Sequence, residues 1–479
     1  MKIRNPLICT LLTTAIALSV AVTFGSPLQA SSLLPNVSPK MERPEFWIKK
    51  IKHPGRLLLT PDEIQKMNEE NLKKQDLFLC RVKDMQEEWS REEILSLLKE
   101  DWEGFGKTEE VRYGRNGDVL EERFWTQLKQ NLNQELLEER TRTLFGLTVK
   151  RTDIRVFPTD EMSMSAPDNH EFDRFQHSAL PPGSLVGIYY FSKDKLWAYT
   201  QTSFIRGWVR TADLAIAKEK RGVAGYEEPK DRLVVAGNSV NVFADPSFQQ
   251  TIFPAQMGTT FPVLRSDRDY VIKIPFRETD GQLAFREGYI RRKEDVRLGF
   301  LPYTQENIAR QAFKMLHQPY GWGEMLGARD CSRFIMDLFS SLGVLMPRNS
   351  KFQAMVGTDL GRVEGKTLKE KKRVLDRAIP MTTTLRLPGH IMLYLGKDRG
   401  KCYVIHSIWG IQEAGQSGPV LKKIGKVVVS DLSLGSSGPN GSLLDRIVDI
   451  RSIGLDPEGR RDFPQNAMSF KALQYSDSP

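Results

Sequence analysis

Hydrophobic positions recur with two different periods along this chain, and the change falls near residue 145. From about residue 40 to that point the spacing is helical. Thr60-Pro61-Asp62-Glu63 is a capping box with proline at the first helical position, and Ser90-Arg91-Glu92-Glu93 is a second box. Ile94, Leu95, Leu97, Leu98 and Trp102 then supply an apolar face. Phe124, Leu128, Leu132 and Leu136 stand four apart, which predicts one further helix. No chemical constellation accompanies these elements, so the region reads as a support for something else.

From about 146 to 300 the period shortens to two, as in Val271-Ile272-Lys273-Ile274, the mark of half-buried antiparallel strands. An approximate repeat runs through this stretch. Ile154-Arg155-Val156-Phe157-Pro158 is echoed by Val240-Asn241-Val242-Phe243-Ala244, and Gly207-Trp208-Val209-Arg210 by Gly288-Tyr289-Ile290-Arg291. An acidic turn follows each second motif, at Asp213 and Glu294. Two small β-barrels are the natural reading, with a single β-sandwich as the alternative.

Composition narrows the class. At 479 residues the chain is long enough for about three or four domains. With 40% hydrophobic and 27% charged residues it is a folded chain, neither disordered nor a multi-span membrane protein. The net charge of +9 is mild and lacks a basic run, which argues against nucleic acid and suits an acidic polymer such as a bacterial cell wall. The first thirty residues read as an address. Lys2 and Arg4 precede an apolar stretch from Leu7 to Phe24, and small residues lead to a cleavage site near Ala30. After cleavage no stable membrane insertion is expected. Cys80, Cys331 and Cys402 would remain, an odd number in an oxidising compartment, so one thiol should stay free.

The chemistry concentrates after residue 320. Tyr320-Gly321-Trp322-Gly323 leads to Arg329-Asp330-Cys331-Ser332, and Pro347-Arg348-Asn349-Ser350 follows. Phe334, Ile335, Leu338, Phe339 and Leu342 repeat at helical spacing and stop at Gly343, with Asp330 as the N-cap. Cys331 therefore falls in the first turn, where unpaired N–H groups and the helix dipole favour a thiolate and should lower its pKa. A nucleophilic cysteine needs a base. His390 opens the apolar run through Leu395, and His406 closes Cys402-Tyr403-Val404-Ile405, with a turn at Lys397-Asp398-Arg399-Gly400 between. Paired antiparallel, the two segments would bring both imidazoles to one end of the ladder, His390 as base and His406 orienting it.

These motifs, in this order, resemble the NlpC/P60 family of cell-wall cysteine peptidases, and the resemblance with its SH3-like repeats covers most of the chain after Ala30. It implies a multidomain α+β protein: a signal at 1–30, a helical N-terminal region at 31–145, SH3-like domains at 146–222 and 223–300, and a papain-like catalytic domain at 301–479. It implies a Cys331–His390–His406 triad without cofactor or metal, cutting the amide between γ-D-glutamate and a diamino acid in peptidoglycan stem peptides. In related members the substrate begins with a free L-alanine, whose ammonium would meet Asp330 and Ser332; Tyr320 and Ser350 fall at further contact positions. Trp322 is a further candidate for the cleft, as is Trp409. The family's SH3 domain also supplies a tyrosine and an acid. Here Ile205-Arg206 stands where the tyrosine is expected, and Glu171 and Asp173 are only loose acidic candidates. The alternatives are a non-catalytic wall-binding protein, or a thiol amidase or acyltransferase on the same fold.

Overall fold

The computed structural model describes residues 33–454, so the export signal expected over residues 1–30 lies outside the described residues. The helical half begins with α1 (Pro44–Ile48), α2 (Pro61–Leu72), α3 (Arg91–Phe105) and α4 (Glu122–Asn131). Both expected capping boxes form. The Thr60 and Ser90 hydroxyls accept from the backbone N–H of Glu63 and Glu93, whose carboxylates accept from the cap N–H in return. Ile94 and Leu98 are buried in a cluster with Trp125, Leu128, Phe157, Phe175 and Trp208, so α3 and α4 lie on the sheet that follows. The last helix is shorter than its apolar spacing predicts. It ends at Asn131 because Asn133 takes a left-handed conformation (φ 57°) while its amide donates to the Phe191 carbonyl, and Leu136 is exposed.

Residues ahead of α2 serve a different partner. Trp47 is fully buried against Tyr403, Leu59 bridges Tyr303, and Tyr403 donates its hydroxyl to the Asn36 carbonyl. This segment is a strap across the chain's C-terminal third, a long-range pairing that periodicity could not signal.

Two seven-stranded antiparallel sheets follow. The first contains β1 (Leu144–Thr148), β2 (Thr152–Arg155), β3 (Gln176–Leu180), β4 (Leu185–Phe191), β5 (Trp197–Gln201), β6 (Arg206–Arg210) and β7 (Leu214–Ile216). The second contains β8 (Arg232–Val235), β9 (Ser239–Phe243), β10 (Thr251–Gln256), β11 (Thr260–Arg265), β12 (Tyr270–Arg277), β13 (Leu283–Ile290) and β14 (Val296–Leu298). Their strand orders are β3-β2-β6-β5-β4-β1-β7 and β10-β9-β13-β12-β11-β8-β14, the same topology twice. The echoed motifs are partners within each sheet: Arg155 faces Trp208, and Phe243 faces Tyr289. The repeat in sequence is thus a repeat in pairing.

The third layer system holds the site. Helix α5 (Gln305–Lys314) and helix α6 (Cys331–Ser340) pack with a sheet of order β15-β20-β16-β17-β18-β19. Its strands are β15 (Thr358–Arg362), β16 (Thr383–Leu387), β17 (His390–Asp398), β18 (Lys401–Gly415), β19 (Gly418–Asp431) and β20 (Asp449–Ser452). The short helices α7 (Ser350–Gln353), α8 (Leu368–Leu375) and α9 (Leu443–Arg446) flank it. Phe334, Ile335, Leu338, Phe339 and Leu342 are completely buried with Ile391, Leu393 and Ile405, which fixes α6 against β17 and β18. The result is a mixed α+β multidomain chain. Among the described residues no helix is long and apolar enough to cross a membrane.

Candidate active site

Asp330 is the N-cap of α6, its carboxylate accepting from the Arg333 N–H at 2.8 Å. Cys331 is therefore the first residue of the helix, and its own N–H is among those without an intrahelical partner. The thiol is 7% exposed and lies 3.9 Å from the Gly389 carbonyl, in the turn that starts β17, with the Ile391 N–H directed at it.

His390 is the first residue of β17. His406 does not close its strand as the sequence suggests; β18 runs on to Gly415, because its partner β19 continues alongside as far as Gly418. In the register that pairs Leu393 with Ile405, the two histidines are diagonal neighbours on one face. His390 Nε2 and His406 Nδ1 are 2.7 Å apart, and His406 Nε2 is 2.9 Å from Ser430 Oγ on β19. One tautomer set satisfies this chain while leaving Nδ1 of His390 free to take a proton. His390 donates from Nε2 to His406, and His406 donates from Nε2 to Ser430.

Burial governs the protonation states. It pushes the Cys331 thiol up to about 12, with the Asp330 charge adding to the rise, and it pulls His390 down to about 3. His406, fully enclosed and beside His390, is held well below the ordinary imidazole value. Both shifts favour a neutral thiol and a neutral imidazole. The direction is opposite to the lowering expected from the helix start, because loss of water around the sulfur works against the anion.

Asp330 and Ser332 have a partner that the sequence reading left unassigned. Arg348 donates from Nη2 to Asp330 Oδ2 at 2.6 Å, from Nη1 to Asp330 Oδ1 at 3.2 Å and to Ser332 Oγ at 2.7 Å. Its Nε donates to Ser178 Oγ of β3 at 2.7 Å, tying the first sheet to the helix start. Glu324 extends this seam. Its carboxylate accepts from Ser178, from the Ala179 N–H and from Arg333, on a backbone held in the left-handed region (φ 67°). Arg333 also pairs with Asp337, Asp337 with Arg329, and Arg329 with Asn238, the residue before β9 of the second sheet. Burial alone would raise the Asp330 carboxyl, but Arg348 and the hydrogen bonds of Arg333 and Ser332 outweigh it and hold the group below its usual value.

The loop before β3 forms an aromatic wall beside this seam. Phe172 contacts Tyr320, Trp322 and Trp409 at ring separations of 6.5, 5.4 and 5.4 Å, and Trp322 Nε1 donates to the Asp173 carbonyl. Burial holds the Tyr320 hydroxyl protonated, and the nearby Asp330 charge adds to the effect. Glu171 is paired with Lys423, and Asp173 is buried on Arg155. Arg206 turns away to Asp101 on α3. Ser350 begins α7, whose N-cap is Asn349. Cys80, Cys331 and Cys402 are all free thiols, so Cys80 and Cys402 do not pair.

The structure therefore sets the Cys331 thiol against the turn that leads into His390, joins His390 to His406, and gathers Asp330 and Ser332 at the helix start near Tyr320, with Trp322 at the rim. Two members were missed. Arg348 lay in a motif already singled out and could have been noticed as the cation beside a buried acid. Ser430 carried no local signal, since only the β18–β19 pairing delivers it.

Residues 317–412 match the NlpC/P60 family, and residues 163–210 match an SH3 domain of the SH3b1 type. Among solved structures, an NlpC/P60 endopeptidase from Photobacterium damselae subsp. piscicida is similar with a TM-score of 0.70 at 18% identity. The match covers 86% of this chain and 97% of that one. An NlpC/P60 family protein from Bacillus cereus is 13% identical with a TM-score of 0.44, over 64% of this chain and 98% of that one. No curated protein matches significantly.

Proposed function

With a cysteine-peptidase domain of the NlpC/P60 family beside an SH3b-type domain in one chain, we propose an exported hydrolase of peptidoglycan stem peptides. Its proposed reaction is cleavage of the amide between γ-D-glutamate and the diamino acid, in the periplasm. The observation that carries this reading is the buried Cys331 at a helix start, its thiol against the turn that leads into the His390–His406–Ser430 relay. Cys331, His390 and His406 are the proposed triad.

The resting pair must separate charge before it can react. The thiol proton passes to Nδ1 of His390, and the thiolate attacks the γ-carbonyl carbon. The carbonyl electrons move onto oxygen, which the Cys331 N–H is placed to meet. The imidazolium is supported through Nε2–H to His406, and by His406 to Ser430, so positive charge is spread along a buried relay. His390 then returns its proton to the leaving amine as the C–N bond breaks, leaving a thioester. Water, deprotonated by His390, releases the acid and restores the thiol. No step calls for a metal, and the two imidazoles are turned to each other.

Substrate detail is proposed in two forms. The family resemblance favours peptides that begin with free L-alanine, held at Asp330 and Ser332. The pairing of both residues with Arg348 favours the second form, in which the amino end is accepted uncharged, since an ammonium would have to displace a buried guanidinium. Tyr320, Trp322 and Trp409 would wall the cleft. Incubating the protein with L-Ala-γ-D-Glu-diaminopimelate and identifying products by mass tests the function. Release of free diaminopimelate supports it, and an intact peptide refutes it.

A further inference from the structure

A cavity lies between α9 and the turn that leads into β17. It has a volume of about 390 Å³ and is lined by Pro388, Lys371, Asn440, Arg446, Ile447 and Val448, with Glu364, Gly365 and Asp445 completing the wall. Pro388 precedes Gly389, whose carbonyl lies 3.9 Å from the Cys331 thiol, so one wall of the cavity is the turn that leads into His390. The charges in its wall are accounted for, with one exception. Glu364 is paired with Arg362, and Asp445 closes the cap of α9 with Ser442. Lys371 donates to the carbonyls of Asp445 and Ile447. Arg446, the last residue of α9, is partly buried, and no described residue bonds its guanidinium. Burial lowers its pKa with no carboxylate to offset it, and its charge reaches the His390 ring.

A half-desolvated guanidinium facing a cavity is a site for a carboxylate, which it can hold through two parallel hydrogen bonds. Its position says which one. In the reaction above, His390 hands its proton to the departing amine, so the group beside His390 is the leaving residue. We propose that the Arg446 cavity binds a carboxylate of the leaving diamino acid, and so sets preference on that side of the cut bond. The proposal rests on the function given above.

The source of the carboxylate can be the α-position of a terminal residue or the far end of a diaminopimelate side chain, and the test separates them. Steady-state kinetics on L-Ala-γ-D-Glu-diaminopimelate, on its lysine counterpart and on the C-terminal amide of each would compare the native protein with Arg446→Gln. Losing a charge-assisted hydrogen bond should raise KM by about ten- to a hundred-fold where the carboxylate is present, with kcat retained. The same change should be neutral on the lysine amide, which lacks both carboxylates. Sensitivity that follows the side chain or the terminus identifies the source. Equal effects on all four peptides, or sensitivity that instead follows amidation of the glutamate α-carboxylate, overturn the inference. Calorimetric titration with free diaminopimelate reads the site without turnover: binding must weaken in Arg446→Gln, and unchanged or undetectable binding by the native protein overturns it. Failure of the native protein to cleave any peptide would refute the function instead.

Discussion

Replacing Arg348 with glutamine removes the cation that satisfies Asp330, Ser332 and Ser178 at once. Both members of the pair are buried, at 8% and 7% exposure, so water cannot take the place of the guanidinium. Breaking a buried pair by deleting one partner costs about 3–5 kcal/mol, equivalent to a fall of roughly 6–20 °C in the melting of the unit that contains it. The pH dependence carries the sharper test. In the native protein the Asp330 carboxyl is held below its usual value, so its contribution is present above about pH 4 and lost as pH falls through the lower folded value. Without Arg348, burial dominates and the folded pKa rises above the unfolded one, so stability is lost as pH rises through that window. The deficit of Arg348→Gln should therefore be large near neutral pH and shrink toward about pH 4. His177, pulled down to about 3 by burial and by the Arg348 charge, would shift the same way. Making both proteins in a His177→Gln background removes that contribution. Asp330→Asn added to Arg348→Gln should recover part of the loss, a coupling of about 0.5–3 kcal/mol. Thermal unfolding followed by near-UV circular dichroism at both pH values is the assay. A deficit below about 1 kcal/mol, or one independent of pH, would refute the buried-pair reasoning.

Cys331→Ala should abolish hydrolysis while leaving the circular dichroism spectrum unchanged; an active variant ends the cysteine-peptidase mechanism. His390→Ala should be as severe, whereas His406→Gln should keep part of the rate, because an amide can still receive the His390 Nε2–H; full activity in both His390→Gln and His406→Gln would dismiss the relay. Since burial holds the thiol up to about 12, iodoacetamide labelling of Cys331 should accelerate about tenfold per pH unit above neutrality, and a plateau already reached at pH 7 would reveal a resting ion pair. Free and N-acetylated tripeptides should agree within about threefold in kcat/KM, whereas a ten- to hundred-fold loss on acetylation would restore Asp330 and Ser332 as an ammonium pocket.

Much of this protein could be read residue by residue, because the signals are local. The capping boxes at Thr60 and Ser90 and the apolar stripe after Cys331 specify helices through neighbours three and four positions away. The echo of Ile154 and Trp208 in Val240 and Tyr289 reports two copies of one pairing scheme without any coordinates. A cysteine behind an N-cap, followed by two histidines in strand-like runs, carries enough chemistry to nominate the proposed triad. The local rule fails where a distant partner intervenes, as when the Asn133 amide reaches the Phe191 carbonyl and stops α4 short of Leu136.

Only the tertiary structure decided the electrostatic character of the site. Whether Cys331 rests as thiol or thiolate depends on how much water its surroundings remove, and those surroundings come from α6, the turn at Gly389 and Tyr320 together. Whether Asp330 is free to receive a substrate depends on Arg348, which lies 18 residues away and is itself anchored by Ser178 of another sheet. Ser430 reaches His406 only through the register of β18 on β19. The sequence determines which groups are available and which secondary elements carry them. Desolvation and pairing are set by the whole shell of atoms around a group, and that shell is assembled from remote parts of the chain.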